Sequence, residues 1–469
     1  MANNKENHDM AKKLALAVRA QGGTAYYVGG YVRDRLLHIE NKDIDIEVHG
    51  INASALASVL DSLGERLSFG ESFGIFSLKG YGIDIAMPRK ERAIGTGHRD
   101  FETFTDPFIG TYEAAKRRDF TIGALMMDVL TEEITDHFGG MNDLRDGVLR
   151  HVCAKTFAED PLRVLRLAQF AARFGFSPAE ETLTLCRGME IAHLSRERVW
   201  EELRKALMKA PRPSVFFEIL RRVDLLDDWF PEVKALIGVE QNPDYHAEGD
   251  VFTHTMMVLN EAAKYRDLVS EPFGFMLTAL CHDFGKAVST QVIDGKICSR
   301  NHETLGLPIA ERFLRRMTGE TKLIAYVMNM IENHMRPNAI AAFGSSVKAT
   351  NKMYDSVNAP RDLFYFAKAD HFGRISAVAP PFCEDFLLER LQIYEQTMCE
   401  PFVMGRDLLA AGLQPGPLFS QLLAHAHKLR LAGIKKEAAL KQTLAYEREL
   451  RKSAARSQSA NSIQRKDNS

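Results

Sequence analysis

The chain has 469 residues and a formal net charge of −2, and 45% of its residues are hydrophobic and 26% charged. This length predicts about two to four domains, and the balanced charge excludes a protein that is basic throughout. No apolar run approaches the roughly 20 residues of a membrane span, and the six cysteines are scattered without a CxxC pair. We therefore predict a cytoplasmic protein with no membrane partner.

The N-terminal part of the chain is predicted to be an α+β domain. After a polar lead-in at residues 1–24, runs with β-type composition, such as AYYVGG, DIDIEVHG and GIDIAM, alternate with helical segments. The pattern predicts a small domain with a mixed sheet over residues 25–150. We expect its acidic strand to lie at a mostly exposed edge of the sheet.

The remainder of the chain is predicted to be helical, because apolar residues recur at helical spacing and strand signals nearly vanish after about residue 155. Loop-like stretches at 239–250 and 375–382 interrupt this pattern. They divide the remainder into a neck (151–240), a second helical domain (241–376), a helical body or tail (377–450) and a disordered basic tail (451–469).

Two aspartates on the predicted acidic strand are candidate metal ligands. Asp43 and Asp45 share one face of the strand, while Ile44 and Ile46 point into the core. Two such close carboxylates repel unless a cation bridges them, and hard oxygen ligands favour Mg²⁺. Asp84, in YGIDIAMP, is a candidate third ligand. Alternating acids alone are more often a solvated face, so the pattern needs support from elsewhere.

That support comes from VGGYVRDRLL, just upstream. Gly29 and Gly30 close a strand and open a helix, and the free N–H groups of such a turn can cradle a triphosphate. With Arg33, Asp34 and the acidic pair, the pattern GGxVRD…DxD resembles that of the class II tRNA nucleotidyltransferases. These are the CCA-adding enzymes of the polymerase-β-like nucleotidyltransferase superfamily. The resemblance implies a palm-like head with two Mg²⁺ ions, in which a tRNA 3′-hydroxyl attacks the α-phosphate of a nucleotide. It also implies that Gly30 and Arg33 contact this nucleotide.

The segment KRRDFT resembles the second motif of this family. The resemblance assigns Asp119 to the ribose side of the nucleotide and Arg117 and Arg118 largely to phosphate. The family pattern usually continues RRDFTINA, whereas here Gly123 replaces the asparagine. The role of that amide is therefore in doubt for this chain.

The segment EDPLRVLR predicts a helix start with Asp160 and Arg163 on one face. Cytosine and adenine each present an amino donor beside a ring acceptor, and a carboxylate beside a guanidinium is complementary to both. A fixed Asp160–Arg163 pair could therefore select C and A. This matches the EDxxR motif of the family, and Arg166, one turn on, is expected to face the triphosphate.

Further segments follow the family pattern. The element at 136–144, with His137 in place of proline, is expected to join head to neck. The helix at 195–207 is either a structural salt-bridged helix or a nucleotide contact. Residues 89–107 correspond to a flexible loop that the family needs for adding the terminal A. The segment at 403–419 resembles a C-terminal tRNA-contacting region or is plain helical packing.

Histidines and aspartates recur in the second helical domain in the order His…His-Asp…Asp. An adjacent His-Asp within ALCHDFGK puts charge where the apolar pattern wants none. The order resembles the HD metal-dependent phosphohydrolase domain. The resemblance implies one divalent ion on a first ligand set and a second ion completed by two more histidines, with Lys286 neutralising phosphate. The first set is His254, His282, Asp283 and Asp370, and the two further residues are His302 and His334. Mixed imidazole and carboxylate ligands suit Ni²⁺, Mn²⁺, Co²⁺ or Zn²⁺.

We interpret the chain as an enzyme that adds C and A to the tRNA 3′ end from CTP and ATP, with an appended HD phosphohydrolase; no protein partner is predicted. An A-adding enzyme shares every motif. A poly(A) polymerase shares head and neck, but the arginine-rich signature expected near residues 70–80 is absent. A third alternative is an HD nucleotide phosphohydrolase whose head only binds RNA, which the intact Asp43/Asp45 pair disfavours.

Overall fold

The computed structural model describes residues 3–41, 43–68, 75–93 and 101–466. The chain forms two compact units, Met1–Pro231 and Glu232–Ser469. The finer division predicted from the sequence stays a prediction. Residues 69–74, within the stretch compared with the arginine-rich signature, and 94–100, the centre of the predicted flexible loop, lie outside the described residues.

Strands of the first unit build one large sheet and smaller pairs. They are β1 (Thr24–Val28), β2 (Ile44–His49), β3 (Arg66–Ser68), β4 (Ile75–Leu78), β5 (Ile83–Ala86), β6 (Arg89–Ala93), β7 (Phe101–Thr105), β8 (Met126–Asp128), β9 (Ile134–Thr135), β10 (Val148–Leu149) and β11 (Ser177–Pro178). In the described part of the chain, seven of them form a sheet in the order β3-β4-β5-β2-β1-β8-β9. Only the β2–β5 pair in this sheet is parallel. The sheet is therefore mixed, as the sequence predicts.

The acidic strand β2 lies in the middle of the sheet, between β5 and β1. The expectation of an exposed edge is wrong. Its apolar face, with Ile44, Ile46 and Val48 each at most 1% exposed, belongs to the core. The prediction was wrong because the polar face of the strand suggested exposure to solvent. A central strand needs only one apolar face when its other face carries a site.

Helices of the first unit surround the sheet and continue into the neck. They are α1 (Asn4–Ala20), α2 (Gly30–Leu36), α3 (Ala53–Leu63), α4 (Gly110–Lys116), α5 (Gly140–Asp146), α6 (Ala154–Ala158), α7 (Leu162–Phe174), α8 (Glu180–Arg187), α9 (Arg196–Lys209), α10 (Ser214–Arg222) and α11 (Pro231–Lys234), with a 3₁₀ turn at Thr121–Gly123. Helix α1 packs against β1 and α3, and α7 packs against α9 and α10. A capping box between Asn3 and Glu6 starts α1.

Part of the predicted flexible loop at 89–107 is an antiparallel pair. Strands β6 and β7 pair from Arg89↔Thr105 to Ala93↔Phe101. The phenylalanines and threonines of FETFT are residue types that favour a strand. The sequence reading treated the whole stretch as a loop because its polar and glycine residues dominate the composition.

The second unit is helical apart from a hairpin of β12 (Thr290–Ile293) and β13 (Lys296–Ser299). Its helices are α12 (Val251–Ala262), α13 (Pro272–Cys281), α14 (Lys286–Ser289), α15 (His302–Leu305), α16 (Leu307–Met317), α17 (Thr321–Asn333), α18 (Arg336–Ala342), α19 (Val347–Asp355), α20 (Pro360–Phe372), α21 (Glu384–Cys399), α22 (Gly405–Ala410), α23 (Leu418–Leu431) and α24 (Lys436–Lys466), with a 3₁₀ turn at Arg266–Leu268. Both predicted loops, at 239–250 and 375–382, lack regular structure.

Helix α24 runs through most of the segment predicted to be disordered, because residues 451–466 contain neither glycine nor proline to end a helix. A membrane-spanning helix, which needs length and apolarity together, is not found among the described residues.

Candidate functional sites

The three predicted carboxylates of the first unit lie at one place on the sheet. Asp45 lies in β2 directly beside Asp84 of β5, and Asp43 immediately precedes β2. Asp43 and Asp84 are exposed, whereas Asp45 is half-buried. The strand periodicity behind the prediction is the reason they meet, since residues two apart share a face.

These carboxylates repel one another. Burial, together with Asp84 and Asp43 and against the opposing charge of Arg118, raises the pKa of Asp45 to about 6. Burial and the charge of Asp43 also raise the pKa of Asp84. A divalent cation relieves such repulsion, and carboxylate oxygens are the ligands that Mg²⁺ prefers. The residues present therefore fit a Mg²⁺ site.

The double glycine forms the predicted turn from β1 into α2. Gly29 has φ of +64°, a conformation that favours glycine, and Gly30 is the first residue of α2. A Cβ atom built on Gly29 would lie 3.5 Å from Arg118 Nη1 and 3.6 Å from Asp45 Oδ2. The turn is therefore packed closely against both the second motif and the acidic strand.

Arg33 lies in a position that differs from the predicted contact with nucleotide. It is 5% exposed, donates from Nε and Nη2 to Asp34, and lies over the rings of Phe170 and Phe174 in α7. In turn, the second oxygen of Asp34 accepts from Asn41, whose own side-chain oxygen accepts from the Asp43 backbone N–H. Arg33 and Asp34 thus fasten α2 to the neck and to the loop that carries Asp43.

The second motif brings Arg118 and Asp119 to the sheet, but Asp119 is already paired. Its Oδ2 accepts from Arg166 Nε at 2.7 Å. Burial opposes ionisation of Asp119, yet Arg166 outweighs it and the pKa is lowered. Arg166 therefore faces Asp119, not open space for a triphosphate as predicted. A Cβ built on Gly123 would lie 3.4 Å from Asp119 Oδ1, so the asparagine usual at this position would contact the same carboxylate.

Asp160 and Arg163 lie at the start of α7 but do not pair with each other in the described structure. Asp160 accepts from Arg198 of α9 at 2.8 and 3.0 Å. Arg163 donates to the backbone carbonyls of Thr156 and Arg117. Each side chain instead reaches a partner that sequence spacing does not reveal, and the reading of C and A by these two residues stays a prediction.

In the second unit, the predicted histidines and aspartates converge from several helices. His254 lies on α12, the His282–Asp283 pair follows α13, and Asp370 lies on α20. His302 opens α15 and His334 follows α17. All six residues were predicted, and among the described residues they supply two groups whose ligand atoms lie within 4.8 Å of one another: His254, His282 and Asp370, and Asp283, His302 and His334. Among the described residues, Asp43, Asp45 and Asp84 do not form a group with ligand atoms this close together.

The hydrogen bonds of these histidines fix which ring nitrogen is free. The Nδ1 atoms of His282, His302 and His334 lie 2.7–3.0 Å from backbone carbonyls. A carbonyl only accepts, so each Nδ1 carries the proton and each Nε2 keeps its lone pair. All three Nε2 atoms point into the cluster, toward each other or toward Asp283.

Asp283 lies between the two groups. Its Oδ1 is 3.3 Å from His302 Nε2, and its Oδ2 is 3.3 Å from His282 Nε2 and 2.8 Å from Lys286 Nζ. Within the described residues, neither Asp283 oxygen nor His282 Nε2 has a hydrogen bond of regular geometry. Because these atoms are buried and lack regular hydrogen bonds, they fit coordination of a divalent ion. A cavity of about 330 Å³ lined by His246, Lys286, His302 and Arg374 opens beside them.

Sequence reasoning missed Glu248. Its side chain is 1% exposed, and its Oε1 lies 2.9 Å from His246 Nδ1 and 3.0 Å from His254 Nδ1, while Oε2 accepts from the Ile375 backbone N–H. Burial raises its pKa, but these hydrogen bonds outweigh burial and hold it well below its usual range. The ionised carboxylate makes His254 carry its proton on Nδ1, which turns Nε2 toward Asp370 at 3.3 Å. An acid six residues before a predicted metal-ligating histidine was the available signal.

Comparison with known proteins places the first unit in a class. A family described as "Poly A polymerase head domain" matches residues 25–150, and one described as "Probable RNA and SrmB- binding site of polymerase A" matches residues 175–237. The mixed sheet with its acidic central strand thus lies in the part of the chain that matches the poly(A) polymerase head family.

Individual relatives identify the family to which the chain belongs. A multifunctional CCA protein of Chromobacterium violaceum is 36% identical over 378 residues, covering 78% of this chain and 89% of that protein. Another, of Haemophilus ducreyi, is 41% identical over 268 residues, covering 56% of this chain and 63% of that protein, less than two thirds of its length. The fold is similar to that of the Thermotoga maritima CCA-adding enzyme complexed with tRNA_CCA, with a TM-score of 0.64, 21% identity and coverage of 95% and 96%. The chain belongs to the multifunctional CCA protein family.

Proposed function

We propose that the chain adds C and A to the 3′ end of tRNA without a template, using CTP and ATP and releasing pyrophosphate. The observation that carries this is the group of Asp43, Asp45 and Asp84 beside the Gly29–Gly30 turn, in a member of this family. Solved structures with the same fold include enzymes complexed with tRNA, CTP and ATP, which supports the same partners here.

In this proposal Asp43 and Asp45, aided by Asp84, hold Mg²⁺. Bound there, Mg²⁺ supplies Lewis-acid activation of the attacking oxygen and neutralises triphosphate charge. The tRNA 3′-oxygen forms a bond to the α-phosphorus as the bond to pyrophosphate breaks. The N–H groups of the turn around Gly30, with Arg117 and Arg118, bind phosphate oxygens, and Asp119 lies on the ribose side.

We propose further that Asp160 and Arg163 read C and A, as their donor and acceptor pattern favours. In this structure Asp160 binds Arg198 and Arg163 binds two carbonyls. Base reading therefore requires Asp160 to exchange Arg198 for the amino group of the base. Arg163 must redirect part of its guanidinium to the ring nitrogen.

The direct test supplies labelled CTP and ATP separately to tRNAs that lack CCA, end in C or end in CC. Incorporation of CTP on the first two and of ATP on the third supports CCA addition. Incorporation of ATP alone on the CC-ended tRNA indicates an A-adding enzyme, and ATP addition in long tails indicates a poly(A) polymerase. Because phosphate contacts dominate tRNA binding, the affinity should also fall steeply with salt.

A second activity is favoured by the convergence of Nε2 atoms in the second unit. We propose that His254, His282, Asp283 and Asp370, with His302 and His334, hold divalent metal and hydrolyse phosphate esters. The metal, when bound, lowers the pKa of a coordinated water. Lys286, which also contacts Gln241 at 2.8 Å, neutralises phosphate charge. Hydrolysis of phosphomonoesters or 2′,3′-cyclic phosphates with Ni²⁺, Mn²⁺, Co²⁺ or Zn²⁺ tests this, and no turnover with any of them would reject it.

A further inference from the structure

Glu47 completes the acidic face of β2 but differs from the two aspartates before it. Asp43 is exposed and Asp45 is half-buried, whereas Glu47 is 2% exposed. A buried carboxylate is costly unless charged or hydrogen-bonding partners compensate it. Its partners therefore reveal what it does at this position, next to the proposed metal ligands.

Three cationic or titratable side chains surround Glu47. His49 Nε2 lies 2.9 Å from Oε1, and the Nη2 atoms of Arg118 and Arg117 lie 3.3 and 4.0 Å from Oε2. These contacts compensate the buried carboxylate, and they make Glu47 a fixed anchor for the second motif.

Arg118 is anchored by one amino group, and its other amino group faces the Gly29 turn. Nη2 contacts Glu47, while a Cβ built on Gly29 would lie 3.5 Å from Nη1 and 3.6 Å from Asp45 Oδ2. The Arg118 side chain is 28% exposed, so it is open to a ligand at the turn. Asp45 is another carboxylate on which the charge of Arg118 acts, and an ion pair there would compete with a metal ion.

We infer that Glu47 is a positioning residue for nucleotide binding. It holds Arg118, and more weakly Arg117, so that the guanidinium meets the triphosphate of CTP or ATP and stays off Asp45. The inference rests on the proposed function of the head. It predicts that loss of the Glu47 charge weakens nucleotide binding and raises the Mg²⁺ concentration needed for it.

The test is Glu47→Gln, which keeps the size and removes the charge, with Asp128→Asn as the control. Asp128 is another partly buried carboxylate of the same sheet and pairs with Arg19. Binding of a fluorescent ATP analogue is measured over a Mg²⁺ series, with KM and kcat for CTP and ATP. We expect the dissociation constant and KM to rise about tenfold, a smaller change in kcat, and wild-type values for the control.

A double-mutant cycle with Arg118→Lys separates positioning from a general structural effect. If Glu47 acts through Arg118, the two changes together cost little more than either alone. Fully additive effects, or wild-type nucleotide binding by Glu47→Gln, would overturn the inference. Should Glu47→Gln fail to fold, Glu47→Asp keeps the charge but withdraws it by one methylene, and it should raise KM in the same way.

Nucleotide binding keeps this test distinct from that of the proposed function. A wild-type protein that binds ATP but extends no tRNA would contradict the proposed function and still leave the Glu47 comparison readable. A wild-type protein that binds no nucleotide with Mg²⁺ contradicts both.

Discussion

Asp45 is a candidate metal ligand whose ionisation lowers the stability of the folded protein. Its pKa is raised to about 6, so the folded protein holds its proton more tightly than the unfolded chain does. Ionising Asp45 therefore costs stability as the pH rises from about 4 to about 6, and the full cost is present above that range. The cost comes first from burial and then from repulsion by Asp84 and Asp43, and a bound cation relieves the repulsion.

Asp45→Asn should accordingly stabilise the protein in metal-free buffer at neutral pH. Asparagine keeps the shape and removes the charge, so we expect a gain on the order of 1 kcal/mol in the free energy of unfolding of the first unit. Denaturant unfolding at a series of pH values measures it. The gain should vanish below about pH 4, where both proteins are uncharged at this position. A variant less stable than wild type at neutral pH would contradict this account.

Glu248 predicts a residue-scale effect on metal binding. Glu248→Gln can no longer accept from His246, His254 and Ile375 with a full negative charge, so His254 loses its fixed orientation. We expect metal affinity to fall about 10- to 100-fold, measured by titration calorimetry with Mn²⁺ or Ni²⁺. The control is Glu261→Gln, which lies on the same helix as His254 but pairs with Lys264, and it should bind metal normally. Equal affinities in the two variants would argue against the role of Glu248.

Sequence reasoning at the residue scale succeeded where spacing alone decides geometry. The alternation in DIDIE puts Asp43 and Asp45 on one face. The resemblance to the HD domain, and not spacing, named six candidate ligands, and these residues do converge. It failed where partners are distant in the chain. Asp160 finds Arg198, 38 residues on, and Glu47 finds Arg118, 71 residues on. The spacing of neighbouring residues does not predict pairs between residues so far apart in the chain.

At the scale of elements, α2 is joined to the neck helix α7 by Arg33. The guanidinium lies 5.2 and 4.5 Å from the ring centroids of Phe170 and Phe174, and it forks onto Asp34. The family motif suggested a nucleotide contact for this residue. The burial of Arg33 instead indicates that part of the GGxVRD motif keeps the turn in register with the neck.

Arg33→Lys should therefore act mainly on stability. Lysine cannot form the fork or stack on a ring as a plane, so we expect a loss of about 1–3 kcal/mol in the free energy of unfolding. Urea unfolding measures it, and Arg35→Lys, whose partner Glu132 is exposed, should lose well under 1 kcal/mol. An Arg33→Lys protein as stable as wild type but deficient in nucleotide binding would favour the original interpretation.

Element types were more predictable than their neighbours. Strand and helix periodicity gave the α+β head and the helical remainder, but sheet order depends on long-range pairing. Strand β2 pairs with β5 as well as with β1, and periodicity did not reveal the long-range pairing with β5 that makes β2 central. The β6–β7 ribbon was missed because glycine and charged residues dominate the composition of that stretch.

At the scale of the whole molecule, the two proposed activities lie in different compact units. Asp43 and Asp45 belong to Met1–Pro231, and the histidine cluster belongs to Glu232–Ser469. His282→Ala should keep nucleotide incorporation into tRNA and lose phosphatase activity, because the two chemistries share no ligand. Parallel assays of the purified full-length variant measure both. Loss of both activities in a folded variant would contradict their independence.

We propose that the acidic strand of the first unit carries the chemistry that adds nucleotides to tRNA. The most direct measurement is incorporation of labelled CMP into tRNA lacking CCA, with Mg²⁺, by wild type and by Asp43→Ala. The account predicts incorporation by the wild type and a loss of at least about a thousandfold in the variant, with its fold and tRNA binding intact. Incorporation by Asp43→Ala at the wild-type rate would contradict it.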